Sequence, residues 1–384
     1  MKMKRIALIT TLLSSTSAMA EISTDVGTAN IDLRLRYEAV DQDNALKDAK
    51  GLILRTTANF KTIKKQGFYG FVEVENSYAL IDDYNNTNGE GIGYSVIADP
   101  ESTEVDQAYV GYKMNGVLLK LGRQVLTFDN HRFVGHVGWR NDKQTFDAFS
   151  ASYTTSNKIK LSYAFINRRN RIFADEKDLE SHDHLINASV PLPAGKLSAY
   201  AYALEVDNDT ANSLDTFGIR YAGKSDQFVY ATELATQSNE LNGVSHNTNY
   251  MLFEGGIKLD AVTIKAGYES LGSDDGAKSF ATPLATLHKF NGWADQFLAT
   301  PNEGLDDAYV KVTGKVGKGK WLVAYHSYSA NKPSETVDDL GSEVNLQYVT
   351  KIAKFPIGVR YANYSAGDVK VDTNKLWLWT GYKF

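Results

Sequence analysis

The sequence has no cysteine, so it can form neither a disulfide framework nor a thiolate metal site. Proline is scarce, with seven residues in 384, which disfavours disordered or polyproline linkers. Long hydrophobic runs are also missing. Past residue 20 no segment approaches the roughly eighteen apolar residues of a spanning helix, and this excludes a helical membrane protein. Positive charge is in deficit: the formal net charge is -5, which makes for a poor nucleic-acid binder.

What the chain has in plenty is aromatic residues, 22 Tyr and 17 Phe, a composition that favours strands. Residues 1–20 carry Lys2, Lys4 and Arg5, an apolar run from Ile6 to Leu13, and then Ala18-Met19-Ala20. This is the pattern of a secretory signal peptide with an A-x-A cleavage site. A mature chain beginning at Glu21 would lose three cations and reach -8. Residues 21–384 show no linker and no shift in composition, so they are read as a single domain.

At the other end, KLWLWTGYKF places Leu376, Leu378, Thr380, Tyr382 and Phe384 on one face of a strand, with Trp377 and Trp379 on the other. A strand ending on a bare aromatic is exposed at its edge unless the sheet closes by pairing it with the first strand. The ending resembles the C-terminal signature of bacterial outer-membrane barrels, whose final Phe belongs to an assembly signal. Period-two patterning runs through the chain. Ile31, Leu33, Leu35 and Tyr37 alternate with Asp32, Arg34, Arg36 and Glu38, and Leu52, Leu54, Ala58 and Phe60 alternate with Arg55, Thr57, Asn59 and Lys61. About 18 such strands are readable, with 16 as the alternative. The connections alternate between short, such as Met114 to Gly116, and long, such as Ile81 to Thr103, Val125 to Lys143 and Leu271 to Leu305. Short periplasmic turns and long outer loops are the pattern of a closed transmembrane antiparallel β-barrel, an all-β fold. Tyr37, Phe60, Phe68 and Tyr153 are expected in its aromatic girdles.

Two loops carry more than turn chemistry needs. The first runs GRQVLTFDNHRFVGHVGWRNDKQTFDAF from Gly122, and its Arg123, Arg132 and Arg140 are expected to bring positive charge to the outer mouth. The second, FATPLATLHKFNGWADQFLATPNEGL from Phe280, is rich in aromatics for a surface loop and is expected to pack against the barrel or fold into the lumen. GRQ, RFVG, GWR and TFDAF, then TPLATLHKFNGWADQF and GLDDAYV, and finally RYANYSAGD, resemble the alginate-export family of outer-membrane porins in the family's usual order. The resemblance spans nearly the whole mature chain. It implies a barrel of about 18 strands in the cell outer membrane, with the lipid bilayer and the outer-membrane assembly machinery as partners. It also implies a channel for diffusive passage of small anionic or saccharide solutes, acidic polysaccharide such as alginate among them.

Arg34, Arg36, Arg55, Arg220 and Arg360 lie opposite clear apolar faces and are expected to point into the lumen, because Arg facing lipid costs about 2 to 4 kcal/mol at the midplane. Closure would gather Arg360, Arg34 and Arg55 into a basic ladder able to attract carboxylates. Glu73, Glu75, Glu233, Glu254, Glu269 and Glu343 read as luminal too, so pairing of charges across the wall is an equal reading. His288, Lys289, Trp293 and Asp295 are the constriction candidates of the second loop. Trp377 and Trp379 would face the lumen if the last strand keeps its register; a bulge would turn them to lipid as belt residues, the reading favoured from sequence. No cofactor is indicated, and no metal-ligand spacing is readable. The rival readings are a barrel hydrolase, for which His182 and His184 are a weak pair without a nucleophile motif, and a plugged structural or adhesive barrel.

Overall fold

The computed structural model describes residues 22–206 and 212–384; the signal-peptide reading of residues 1–20 lies outside it. Among the described residues, eighteen strands form the barrel. They are β1 (Gly27–Gln42), β2 (Ala49–Thr62), β3 (Phe68–Asp83), β4 (Ser102–Met114), β5 (Val117–Gln124) and β6 (Thr145–Thr154). Then come β7 (Lys160–Asn170), β8 (Leu179–Leu192), β9 (Gly195–Val206), β10 (Asn212–Lys224), β11 (Phe228–Leu241) and β12 (Val244–Lys258). The last six are β13 (Val262–Leu271), β14 (Leu305–Val316), β15 (Gly319–Ser329), β16 (Asp339–Ile352), β17 (Phe355–Ser365) and β18 (Thr373–Lys383).

Each strand pairs antiparallel with the next, and β18 returns to β1 with Arg36 opposite Trp379 and Gln42 opposite Thr373. The backbone of Phe384 extends this pairing, its N–H donating to the Ile31 carbonyl at 2.8 Å. The chain-terminal edge is thereby covered, which answers the hazard an unpaired last strand would carry.

Alternation sets the two faces. Val110, Leu121, Leu161, Phe217, Phe253 and Val323 are exposed on the outer surface. Such an apolar band suits lipid and would be anomalous on a sheet facing water. Phe68 and Tyr153 stand exposed at the short-turn end, as a girdle requires. No described helix is long and apolar enough to cross a membrane, so the strands do the spanning.

The core lies inside the barrel, where the loops meet the inner wall. Phe133 of the β5–β6 loop packs on Tyr200, Tyr250 and Phe280 with ring centroids 5.1, 5.2 and 5.8 Å away. Leu185, Leu204, Leu252 and Leu271 of the wall join the same buried cluster. The alternation of short and long connections has an exception. β11 and β12 meet in the two-residue turn Asn242-Gly243, both with positive φ (52° and 78°), the Asn-Gly hairpin chemistry that lets β12 begin at Val244.

Candidate channel lining

The β5–β6 loop, residues 125–144, descends into the bore and is held there by the wall arginines. Arg34 donates to the carbonyls of Gly138 (3.3 Å) and Arg140 (2.7 Å) and to Asn141 Oδ1 (2.9 Å). Arg36 donates to the Trp139 carbonyl and to Asp99, which belongs to the β3–β4 loop. Arg140 comes back from the loop to meet Glu38 at 3.1 Å, Asp99 at 3.3 Å and Asp295 at 2.8 Å. Arg132 is buried against Glu269 at 2.7 Å, with Nη1 donating to Thr282 and Nη2 to Asn291. Arg132 and Arg140 therefore do not stand at the outer mouth as the sequence suggested. Both meet carboxylates inside the barrel, and burial with this pairing leaves neither guanidinium free for solute.

Arg123 needs a second correction. The penultimate residue of β5, it has the parity of Leu121 and lies opposite Asp147 in the register, as Leu121 lies opposite exposed Phe149. It therefore stands on the outer face at the rim, paired to Asp147 at 2.8 Å, and does not line the pore. The other arginines do point inward. Arg55 pairs with Asp32 (3.0 Å) and Arg220 with Glu233 (2.6 Å), so much of the wall charge is matched along the wall itself.

The β13–β14 loop, residues 272–304, enters from the other side through a single 3₁₀ turn, Leu287–Lys289. Buried His288 takes a hydrogen bond from Arg360 on Nε2 (2.7 Å) and gives one from Nδ1 to Asp295 (2.7 Å). That pattern fits a neutral ring, and burial pushes its pKa down to about 4. Against the burial that would raise it, His288, Lys375 and Arg140 hold Asp295 well below the usual carboxylate range. Arg360 is sandwiched between the rings of Trp139 (3.9 Å) and Trp293 (4.0 Å). Trp377 and Trp379 both pack edge-on against Trp139, at 5.8 and 5.4 Å. β18 keeps unbroken register with β1 and β17, so no bulge turns these indoles to lipid, and the belt reading fails. Trp293 and His288 thus sit in an aromatic and ionic clamp that joins the two loops to the wall.

Between the second loop and strands β10–β16 a cavity of about 310 Å³ remains. Arg220, Lys265, Lys289 and Lys311 line it, with Glu254, Asp307, Tyr309 and Trp293. Lys265 pairs with Glu254 at 2.8 Å. Lys289 donates to the Asn130 carbonyl at 2.7 Å, and neither it nor Lys311 makes an ion pair among the described residues. Burial together with Arg220 and Lys311 lowers the Lys289 pKa. Of the constriction candidates, Lys289 alone faces this cavity with an unmatched charge. Lys265 and Lys311 escaped sequence reasoning, although their alternation with Ile264 and Val310 on the outer face held the signal.

The hydrolase candidates lie apart from all this. His184 meets Tyr163 at 2.9 Å, and both His182 and His184 are exposed on the outer side of the wall beside Phe165.

A profile described as alginate export matches residues 27–271. No curated protein sequence matches the chain. The barrel is similar to that of OpdO from Pseudomonas aeruginosa, with a TM-score of 0.71 at 12% identity over 94% of this chain and 98% of that one. It is similar to OccK9 (OpdG) from the same organism, 0.72 at 14% over 94% and 98%. It is similar also to OccAB4 from Acinetobacter baumannii, 0.72 at 12% over 97% and 99%. At such identity the likeness is one of fold. The match over more than half of the chain settles the rest: the protein belongs to the alginate-export family and is a channel-type β-barrel of the outer membrane.

Proposed function

We propose that the protein is a porin for diffusive passage of small anionic solutes, acidic oligosaccharides included, and that it has no enzymatic activity. The observation that carries this reading is the luminal cavity with two lysines, Lys289 and Lys311, that make no ion pair among the described residues. A fixed cation in a confined, low-dielectric bore raises the local concentration of anions more than the same charge does at a surface. Aromatic groups at the cavity, Tyr309 and Trp293, offer faces on which a sugar ring can stack. The arginines expected to form a ladder take a different part in the reading. Arg34 and Arg360, with Arg36 beside them, hold the loops that set the bore and Arg55 pairs with Asp32, while Arg220 and the lysines act on solute.

The test is the reversal potential under a salt gradient for the mature protein in a planar bilayer, compared with a Lys289→Gln/Lys311→Gln double variant. Anion preference should fall in the variant with little change in barrel assembly. Equal selectivity of the two proteins would remove the lysines from the account. A second reading, a plugged barrel, is favoured by the buried ion pairs of Arg36, Arg132 and Arg140 that pin both loops. Absence of any conductance would favour it.

A further inference from the structure

At the foot of the β5–β6 loop, Asp142 meets two wall residues, Glu75 of β3 and Asp106 of β4, all three buried. One carboxylate oxygen from each lies within 4.8 Å of the others. A sphere of oxygens of that width accommodates a cation with metal–oxygen distances of about 2.3 to 2.6 Å, the range of calcium.

A cluster of acids does not make a site unless something in it lacks an explanation, and here Glu75 does. It is 2% exposed, yet neither carboxylate oxygen accepts a hydrogen bond. The nearest cations stand off at 3.7 Å (Lys143 Nζ) and 4.0 Å (Arg55 Nε). Lys143 is engaged more tightly elsewhere, at 2.6 Å from both Glu73 and Asp106, and Arg55 at 3.0 Å from Asp32. Asp142 itself accepts one long bond, from the Ala174 N–H at 3.4 Å. Glu104 adds a further negative charge facing Asp142. Four carboxylates, Glu73, Glu75, Asp106 and Asp142, thus face two cations, Lys143 and Arg55, and buried charge of one sign is unfavourable unless it is neutralised.

We infer that Glu75, Asp106 and Asp142 form a binding site for a divalent cation, calcium by its oxygen chemistry, which fastens the base of the inward loop to strands β3 and β4. Carboxylates alone, with water completing the shell, suit a hard cation and give no reason to expect a softer metal. The consequence is mechanical. Asp142 is the loop's contribution and Glu75 and Asp106 are the wall's, so an ion held among them resists withdrawal of the loop from the bore.

Calorimetric titration of the full mature protein in detergent with calcium chloride at pH 7.5 tests this without any conductance measurement. The expected result is one equivalent bound and loss of binding in Asp142→Asn. That variant lies in a loop and leaves the strands untouched; heat-modifiable gel mobility checks that its barrel has formed. No binding up to about 10 mM, beyond the weak end of extracellular calcium modules, would overturn the site. Binding retained in full by Asp142→Asn would overturn it as well, since the ion would then sit elsewhere.

Discussion

Arg140 illustrates what luminal charge does in this barrel. It is 5% exposed and touches Glu38, Asp99 and Asp295, residues from the wall and from both other inward loops. Arg140→Met should leave three buried carboxylates short of a partner and destabilise the loop assembly by about 3–5 kcal/mol. Limited proteolysis within residues 125–144, set against unchanged barrel mobility, reads this out. His288 supplies a pH dependence. The unfolded chain takes up its proton near the ordinary value of about 6.5, whereas the folded ring, pushed down to about 4 by burial, stays neutral until lower pH. The unfolded state therefore binds more protons between those values, and local stability falls as pH drops from about 6.5 to 4. Asp295, already held low, adds to this slope only once pH approaches the ordinary carboxylate range. Hydrogen-exchange protection factors for residues 287–295 should decline over that window, and in His288→Gln the decline should be absent.

At the scale of strands, cross-strand glycine and aromatic pairs shape the inner wall. Gly267 of β13 lies directly opposite Tyr309 of β14, and a Cβ at Gly267 would come within 2.3 Å of the tyrosine Cζ. The ring lies over the bare backbone, and its hydroxyl donates to Glu254 at 3.0 Å. Gly358 and Trp379 repeat the arrangement between β17 and β18. These aromatics cover the gap that glycine leaves in a strand and are held in one rotamer by it. Gly267→Val should displace Tyr309 into the cavity at an overpacking cost of about 1–3 kcal/mol, visible as a lower thermal transition of the barrel.

The strands were legible because each buries one face, so a period of two is written into Ile31 to Glu38 without reference to any other element. The inward direction of Arg34, Arg36, Arg55, Arg220 and Arg360 followed from the same alternation. What the loops do was not legible. Arg132 meets Glu269, and Arg140 meets Asp295, across more than a hundred residues of chain, and nothing local to GWR or to WAD says that they touch. Arg123 misled for the opposite reason: read with the loop that follows, it is in fact the last turn outward of β5. Alternation misses the strand ends, where a side chain that looks like loop still obeys the pleat.

For the whole molecule, the loops and the wall divide the bore into a pinned half and an open half. On one side Arg36, Arg140, His288 and Arg360 fasten the loops with buried charge and stacked indoles. On the other, Arg220, Lys265, Lys289 and Lys311 line free space. This division explains how a chain with a net charge of -5 can keep basic groups for solute: the acids that line the cavity, Glu254, Glu269 and Asp307, are each engaged, by Lys265, Arg132 and His326. The same packing that holds the loops sets how wide the passage is, so loop-anchoring residues should change conductance while cavity lysines change selectivity. Single-channel recording of the wild-type mature protein under a potassium chloride gradient tests the account most directly. Discrete conductance steps with a reversal potential displaced toward that of chloride are the predicted result. Displacement toward potassium, or a bilayer that stays silent with correctly assembled barrels, would contradict it.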